Sequence, residues 1–396
     1  MFLLTGRRTG DPEPGDKRLA TERIRLFLFL VALFIIPLAV YGATSAQEDP
    51  AAESAITFTR KVIDTNVRQV HTALGADLDK DGDMDIVATD YRQNDVVWFQ
   101  NDGRGNYTKK VLDGNLGGAY PASVGDVDKD GDSDVMAGGY LGDTFVWYQN
   151  NGGGNFTRRV IDAKTNGAHS IVLGDVDKDG DNDFITSSQD ANTIAWYQND
   201  GRLNFTRRVI DTRATKAKRA EMADFDGDGD MDIVSASFGN HQIAWYQNDG
   251  RQNFTKKVIS STARGAYFVS PADIDRDGDV DLFAASRRNN TVAWYRNDGR
   301  GNFTFLKMDG NAMGVRTVMA VDLDKDGDMD AVAASVDDDT VAWHRNDGRG
   351  NFTKIVIDRT LNGAYWAWPV DMNKDGRLDL LSASKVANMV ALHTRN

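Results

Sequence analysis

The chain has no cysteine among its 396 residues. That excludes disulfides, a thiolate metal site, a cysteine nucleophile and a lipidated cysteine anchor. Histidine is scarce as well. His71, His169, His241, His344 and His393 are scattered, and no motif sets one beside a serine nucleophile and an acid. Structural or solvated histidines are the expectation, and no catalytic residue is assigned. A basic stripe with interleaved aromatics is missing, which argues against a nucleic-acid partner. After residue 50 no segment carries a helical period, so the folded part should be all-β.

What the chain does have is one acidic nonapeptide, D-x-D-x-D-G-x-x-D, repeated seven times at a spacing of 49 residues. A strict period of this length signals a repeat architecture. The copies supply Asp77, Asp79, Asp81, Asp83 and Asp85, then Asp126, Asp128, Asp130, Asp132 and Asp134. Next come Asp175, Asp177, Asp179, Asp181 and Asp183, then Asp224, Asp226, Asp228, Asp230 and Asp232. The fifth and sixth give Asp273, Asp275, Asp277, Asp279 and Asp281, then Asp322, Asp324, Asp326, Asp328 and Asp330. The last departs from the others, with Asp371, Asn373, Asp375, Arg377 and Asp379.

Side chains at positions one, three, five and nine of such a loop can converge on one cation. The glycine permits the sharp turn, and the position-seven carbonyl completes the shell. Arg377 would therefore act through its backbone, and Asn373 still offers an oxygen. Every donor is an oxygen, which selects a hard cation over zinc or copper. The flexible geometry and ligand number suit Ca²⁺ better than Mg²⁺, so about seven Ca²⁺ per chain are expected. The alternative, a solvated acidic turn, leaves four or five carboxylates to repel one another within nine residues. The net charge of −13 has the same origin, because the seven loops hold 33 of the aspartates.

The first 46 residues read as targeting sequence. Arg7, Arg8, Lys17, Arg18, Arg23 and Arg25 precede the apolar run 26–43, which Thr44-Ser45-Ala46 follows. This is a secretory signal cut after Ala46, or an uncleaved anchor through residues 26–43 with the repeats outside. Either way the repeats leave the cytoplasm, to be secreted or displayed at the cell surface. Residues 47–55 form a linker and 56–396 the repeat domain.

Within one repeat the loop leads into short apolar runs such as Ile86-Val87-Ala88 and Val96-Val97-Trp98-Phe99. The turn Asn101-Asp102-Gly103-Arg104-Gly105 and the run 106–112 come next. Asp-Gly between β-branched and aromatic runs is a hairpin signal. The module is thus a four-stranded antiparallel sheet, and seven around an axis make a seven-bladed β-propeller. Trp98, Trp147, Trp196, Trp245, Trp294 and Trp343 recur at the period, with Leu392 in the seventh place, and read as inter-blade core. Phe58, Tyr107, Phe156, Phe205, Phe254, Phe303 and Phe352 recur likewise. The chain stops before its last outer strand, and residues 56–63 match the missing piece in register. The N-terminal strand should therefore close the ring and cover the free sheet edge.

D-x-D-x-D-G-D-x-D followed by V-A-W-Y-x-N-D-G-x-G-N-F-T resembles the FG-GAP/VCBS repeats of extracellular propellers, over residues 56–396. Integrin α-subunit head domains and some fungal sugar-binding propellers share that architecture. The resemblance implies calcium in the loops and an adhesion, lectin or other surface role.

Internal comparison separates scaffold from variation. One position reads His71, Tyr120, His169, Lys218, Tyr267, Arg316 and Tyr365, and its neighbour Thr72, Pro121, Ser170, Arg219, Phe268, Thr317 and Trp366. These lie opposite the metal loops, where related propellers bind ligands. Tyr267, Phe268, Arg316, Tyr365, Trp366 and Trp368 are the candidate ligand residues, forming an aromatic surface with a basic neighbour. Drift of unconstrained surface residues would also make them differ. Trp366 and Trp368 stand outside the blade period, so losing Trp366 should cost less stability than losing Trp294. Asn106, Asn155, Asn204, Asn253, Asn302, Asn351 and Asn289 are formal glycosylation acceptors, although the recurrence of the first six fits a turn role equally. The reading is an extracellular calcium-binding propeller acting as a binding or adhesion module for a protein or glycan. The alternative is a polysaccharide-active lyase or hydrolase on the same scaffold.

Overall fold

The computed structural model describes residues 56–396, and the targeting and linker assignments for residues 1–55 lie outside it. The described chain forms seven four-stranded antiparallel sheets, and it contains no helix. After the closing strand β1 (Phe58–Asp64), the first blade is β2 (Val70–Ala76), β3 (Asp85–Asp90), β4 (Asp95–Asn101) and β5 (Tyr107–Asp113). Five more blades follow in the same order. They run from Ala119 to Asp162, Ala168 to Asp211, Ala217 to Ser260, Ala266 to Asp309 and Val315 to Asp358. The last blade consists of β26 (Ala364–Val370), β27 (Asp379–Ser384), β28 (Met389–Arg395) and β1.

The first strand of each blade packs against the first strands of its neighbours and so lines the axis. The second is buried at all six residues, because both of its faces are covered by adjoining blades. That is why it is apolar throughout instead of alternating. The outermost strand is the exposed one.

Ring closure occurs as the sequence requires. β1 pairs antiparallel with β28, with Phe58 opposite Arg395 and Val62 opposite Ala391. The C-terminal Asn396 side chain donates to the Thr57 and Thr59 hydroxyls at 3.0 and 3.1 Å. The tryptophan row is inter-blade core. Trp98 meets Phe156 of the next blade edge-on at 6.0 Å, and Trp294 meets Phe352 at 6.1 Å. Basic residues of the outer strands reach back one blade to carboxylates, Arg158 to Asp113 at 2.8 Å and Lys256 to Asp211 at 2.7 Å. They also deter edge-to-edge pairing at the rim.

Candidate functional site

Each aspartate loop joins the first strand of a blade to the second, so buried sheet fixes both of its ends. At position six Gly82, Gly131, Gly180, Gly229, Gly278, Gly327 and Gly376 have φ between +84° and +97°, where a side chain would be strained. The turn aims each glycine N–H at Oδ2 of the first aspartate, at 2.9–3.1 Å in all seven loops. The other oxygen of that carboxylate is buried without a hydrogen-bond partner in Asp77, Asp126, Asp175, Asp273, Asp322 and Asp371.

These loops can hold metal ions. Oxygens of Asp77, Asp79 and Asp81 lie within 4.8 Å of one another, as do those of Asp273, Asp275 and Asp277. In the second, third and fourth loops the third member is the ninth residue, Asp134, Asp183 or Asp232. At such a separation each carboxylate pair repels by about 1 kcal/mol in water-like surroundings and ~3 kcal/mol at a protein-surface dielectric. A buried acceptor in the same place in six loops, ringed by repelling carboxylates, is what a bound cation would satisfy.

The ninth residue is the most deeply placed. Asp85 is fully buried and accepts N–H bonds from Leu78 at 3.2 Å and Asn101 at 2.7 Å. Burial pushes its carboxyl up to about 6, against the pull of those two N–H groups. Burial likewise carries Asp134, Asp183, Asp232, Asp281 and Asp330 up to about 7. A nearby cation would act in the opposite direction.

Position-seven side chains point elsewhere. Asp132 pairs with Lys80 of the preceding loop at 2.5 Å, and Asp328 with Arg276 at 3.0 Å. Asp83 lies against Gly103, where an added Cβ would come within 2.4 Å of its carboxylate. In the last loop Arg377 bonds Asp375 at 2.9 Å and Asn373 donates to the same oxygen at 3.2 Å, so two donors are engaged with each other.

Two rows of supporting residues escaped the sequence reading. Gln100 donates to Asp79 and Gln198 to Asp177, both at 2.5 Å, and Gln149 and Gln247 do the same for Asp128 and Asp226. In the fifth and sixth blades Arg296 reaches Asp275 at 2.6 Å and Arg345 reaches Asp324 at 2.7 Å. The next residue along orders the loop exit. Asn150 donates from Nδ2 to Ser133 O at 3.1 Å and to Leu78 O, in the preceding blade's loop, at 2.7 Å. Asn297 repeats the bridge to Phe225 O at 2.7 Å, and at ring closure Arg395 takes over with Leu323 O at 2.6 Å. The first, fourth, fifth and sixth loops are thus tied to the next blade. The 49-residue recurrence of these side chains was the signal that could have revealed them.

The opposite mouth of the channel differs from expectation. The sequence put an aromatic surface there, but Tyr267, Phe268, Tyr365 and Trp366 are only 5, 4, 3 and 7 % exposed. The pairing of the first strand slips at its second residue, a bulge that re-aims that side chain. Tyrosines from three different blades meet as a result. Tyr120 and Tyr267 lie 2.8 Å apart at their hydroxyls, Tyr267 and Tyr365 2.5 Å, and Tyr120 also bonds Tyr365. A position on the surface of one repeat becomes interior once seven repeats share an axis. Trp366 stacks on the half-buried Trp368 at 6.4 Å and meets Phe268 edge-on at 5.8 Å. Arg316 lies over Tyr267 at 4.5 Å and Tyr365 at 5.1 Å.

His71, His169, His344 and His393 are buried. His71 and His169 flank Tyr120, each with its ring 4.3 Å away. His393 bonds Ser382 at 2.9 Å and faces Asp358 at 3.9 Å. That trio mimics a catalytic arrangement, but its members are buried at 1, 0 and 9 % exposure and the serine sits inside the sheet. His393 takes the place at which Tyr148 bonds Asp113 and Tyr197 bonds Asp162, both at 2.7 Å. The asparagines of the N-F-T and N-Y-T triplets serve turns, with Asn106 bonding Asp102 at 2.8 Å and Asn204 bonding Asp200 at 2.9 Å.

Comparisons with known proteins bear on this architecture. No curated protein matches the chain. An Agrocybe aegerita lectin, whose structure concerns recognition of non-reducing terminal N-acetylglucosamine, is 20 % identical with a TM-score of 0.55. That match covers 75 % of this chain and 82 % of the lectin. Virginiamycin B lyase from Staphylococcus aureus superimposes with a TM-score of 0.62 at 11 % identity, over 86 % of this chain and 99 % of that one. BBS1N, crystallised in complex with ARL6DN, gives 0.59 at 9 % identity, over 85 % and 95 %. Identities this low show the propeller fold alone. The family model for the FG-GAP-like repeat matches residues 77–137, 126–186, 175–235, 224–284, 273–333 and 322–382, each window running from one aspartate loop into the next blade. The chain belongs to the FG-GAP-like repeat family.

Proposed function

We propose that this protein is an exported, calcium-loaded propeller that acts as a binding module for a protein or glycan ligand. The observation that carries the calcium reading is the unpartnered first-aspartate oxygen, buried in the same place in six loops. Oxygen-only donors and the adaptable geometry of a nine-residue loop favour Ca²⁺ over Mg²⁺, zinc or copper. The ion would rest on the side chains at positions one, three, five and nine. It would offset two of the negative charges in each loop and rigidify the blade edges that the asparagine bridges join.

A binding role suits a rigid ring with variable residues on one face. The Agrocybe aegerita lectin and the BBS1N complex show propellers engaging a sugar and a protein. At the tyrosine mouth the half-buried Tyr120, Lys218 and Arg316 offer contact to such a ligand, while Tyr267, Phe268, Tyr365 and Trp366 support them from within. Export rests on the basic residues ahead of the apolar run 26–43, whether that run is cleaved or retained.

The test is a glycan array and a surface-protein pull-down with the whole repeat domain, in calcium and in chelator. The reading requires ligands retained in calcium and lost in chelator. Retention that is equal in both would contradict it.

A further inference from the structure

The axis cluster has a charge imbalance that the calcium loops do not address. Arg316 and Lys218 reach it from two inner strands, and Lys385 approaches the Tyr365 ring at 5.8 Å. Among the described residues neither Arg316 nor Lys218 has a carboxylate partner. The nearby acids are committed elsewhere, Glu221 to Arg219 at 2.6 Å, and Asp190 to Lys216 at 2.8 Å and Tyr140 at 2.7 Å. Cations set among aromatic rings with no counter-charge are costly.

Unpartnered donors point the same way. His71 is 3 % exposed, and neither of its ring nitrogens has a hydrogen-bond partner. Arg316 Nε is likewise buried and unpaired. Beside them is a cavity of about 30 Å³ lined by His71, Tyr120, His169, Lys218, Tyr267 and Tyr365, among others. A single water needs roughly 10–15 Å³ by this kind of measure, so the space takes one or two water-sized particles and no sugar ring.

We propose that the cavity is a site for one small monoanion of halide size, seated on the axis beside Lys218 and the ring of His71, with Arg316 stacked on the tyrosine rings that line it. The guanidinium and ammonium supply charge, and a neutral His71 supplies an N–H donor. Burial, and after it the charges of Lys385, Arg316 and Lys218, hold that imidazole well below its ordinary range and so neutral. The bound anion pins inner strands of several blades to one point, much as a hub pin would. This site is independent of the calcium loops, and it shares Lys218 and Arg316 with the face proposed above to meet the ligand.

The competing counter-charge is internal. Burial raises the Tyr267 phenol, but Arg316, Lys218 and the hydroxyls of Tyr120 and Tyr365 outweigh it and bring it down to about 7. One phenolate would balance one cation and leave the other unmatched. The two cases separate by experiment. Crystals of the repeat domain soaked in bromide should show one anomalous peak on the axis within hydrogen-bond reach of Lys218 or His71. In solution the melting temperature should fall by several degrees when chloride is replaced by gluconate at equal ionic strength. Lys218→Gln should abolish that difference. An empty axis in the bromide crystal, with equal melting in both salts, overturns the proposal. A phenolate absorbance band that titrates near neutral pH, vanishes in Tyr267→Phe and accompanies an empty axis overturns it as well.

Discussion

Chelation is the perturbation that strikes every blade at once. An ion that binds the folded state alone stabilises by about 2.7 kcal/mol per site when its free concentration is 100 times Kd, so seven independent sites would give ~19 kcal/mol. The roughly 340 described residues, at ~2.1 cal/mol/K each, carry an unfolding entropy of about 0.7 kcal/mol/K. One site is then worth ~4 °C in melting temperature, and the full set about 25 °C if the ring melts as a unit. Differential scanning calorimetry of the repeat domain in dilute calcium and in excess chelator measures the whole effect. A single-site control isolates one share. Asp177→Ala removes a donor of the third loop together with its bonds to Gln198 and Gln252, at 2.5 and 3.0 Å. Those bonds to a carboxylate are worth about 1.5–3 kcal/mol, and relief of repulsion from the neighbouring carboxylates returns part of it, leaving about 1 kcal/mol, or ~1–2 °C. The variant should therefore melt some 4–6 °C below the parent in calcium, and within ~2 °C of it in chelator. A parent melt unmoved by chelation, or a variant shift of equal size in both conditions, would refute the reasoning.

Three further outcomes follow from the same structure. Deleting residues 1–63 removes β1 and with it the paired positions along β28, the Arg60–Asp358 ion pair at 3.0 Å and the Asn396 contacts. The product should aggregate or be cut by protease first in the last blade, and a monomer with the parent melting temperature would deny the closure. Trp366→Ala and Trp294→Ala should each cost roughly 3–5 kcal/mol, because both side chains belong to one buried cluster. Denaturant melts test this, and a Trp366→Ala cost under about 1 kcal/mol would return that residue to the surface. In chelator the ninth-position aspartates, raised by burial to about 6 or 7, favour folding while protonated. Their contribution is present below the unfolded carboxylate range and lost as pH rises through 7. The calcium-free melting temperature should fall between pH 5.5 and 8, and a rise over that window would contradict the assignment.

The sequence made the ring legible because a ring multiplies its own signal. Seven aspartate loops in register, a tryptophan row through six blades and a displaced strand at residues 56–63 each fix one geometric fact. The tertiary consequences were harder to see. Whether Tyr267 and Trp366 are surface or interior depends on the shared axis, which no single repeat contains, and a bulge in the inner strand decided it. The Gln100 row recurs in four blades and the Asn101 row in six. Their roles became readable only when the third strand was seen to stand beside the loop and, through Asn150, to touch the loop of the preceding blade. His393 in the place of Tyr148 shows the same limit. A residue that looks chemically apt in sequence can be a local substitute in a packing row.

The most direct measurement is the number of calcium ions per chain, by metal analysis and calorimetric titration after dialysis against dilute calcium. Seven loops with the same glycine-to-aspartate bond predict a count approaching seven. The last site should be the weakest, because Asp375 there is engaged by Arg377 and Asn373. A count of two or fewer would contradict the account.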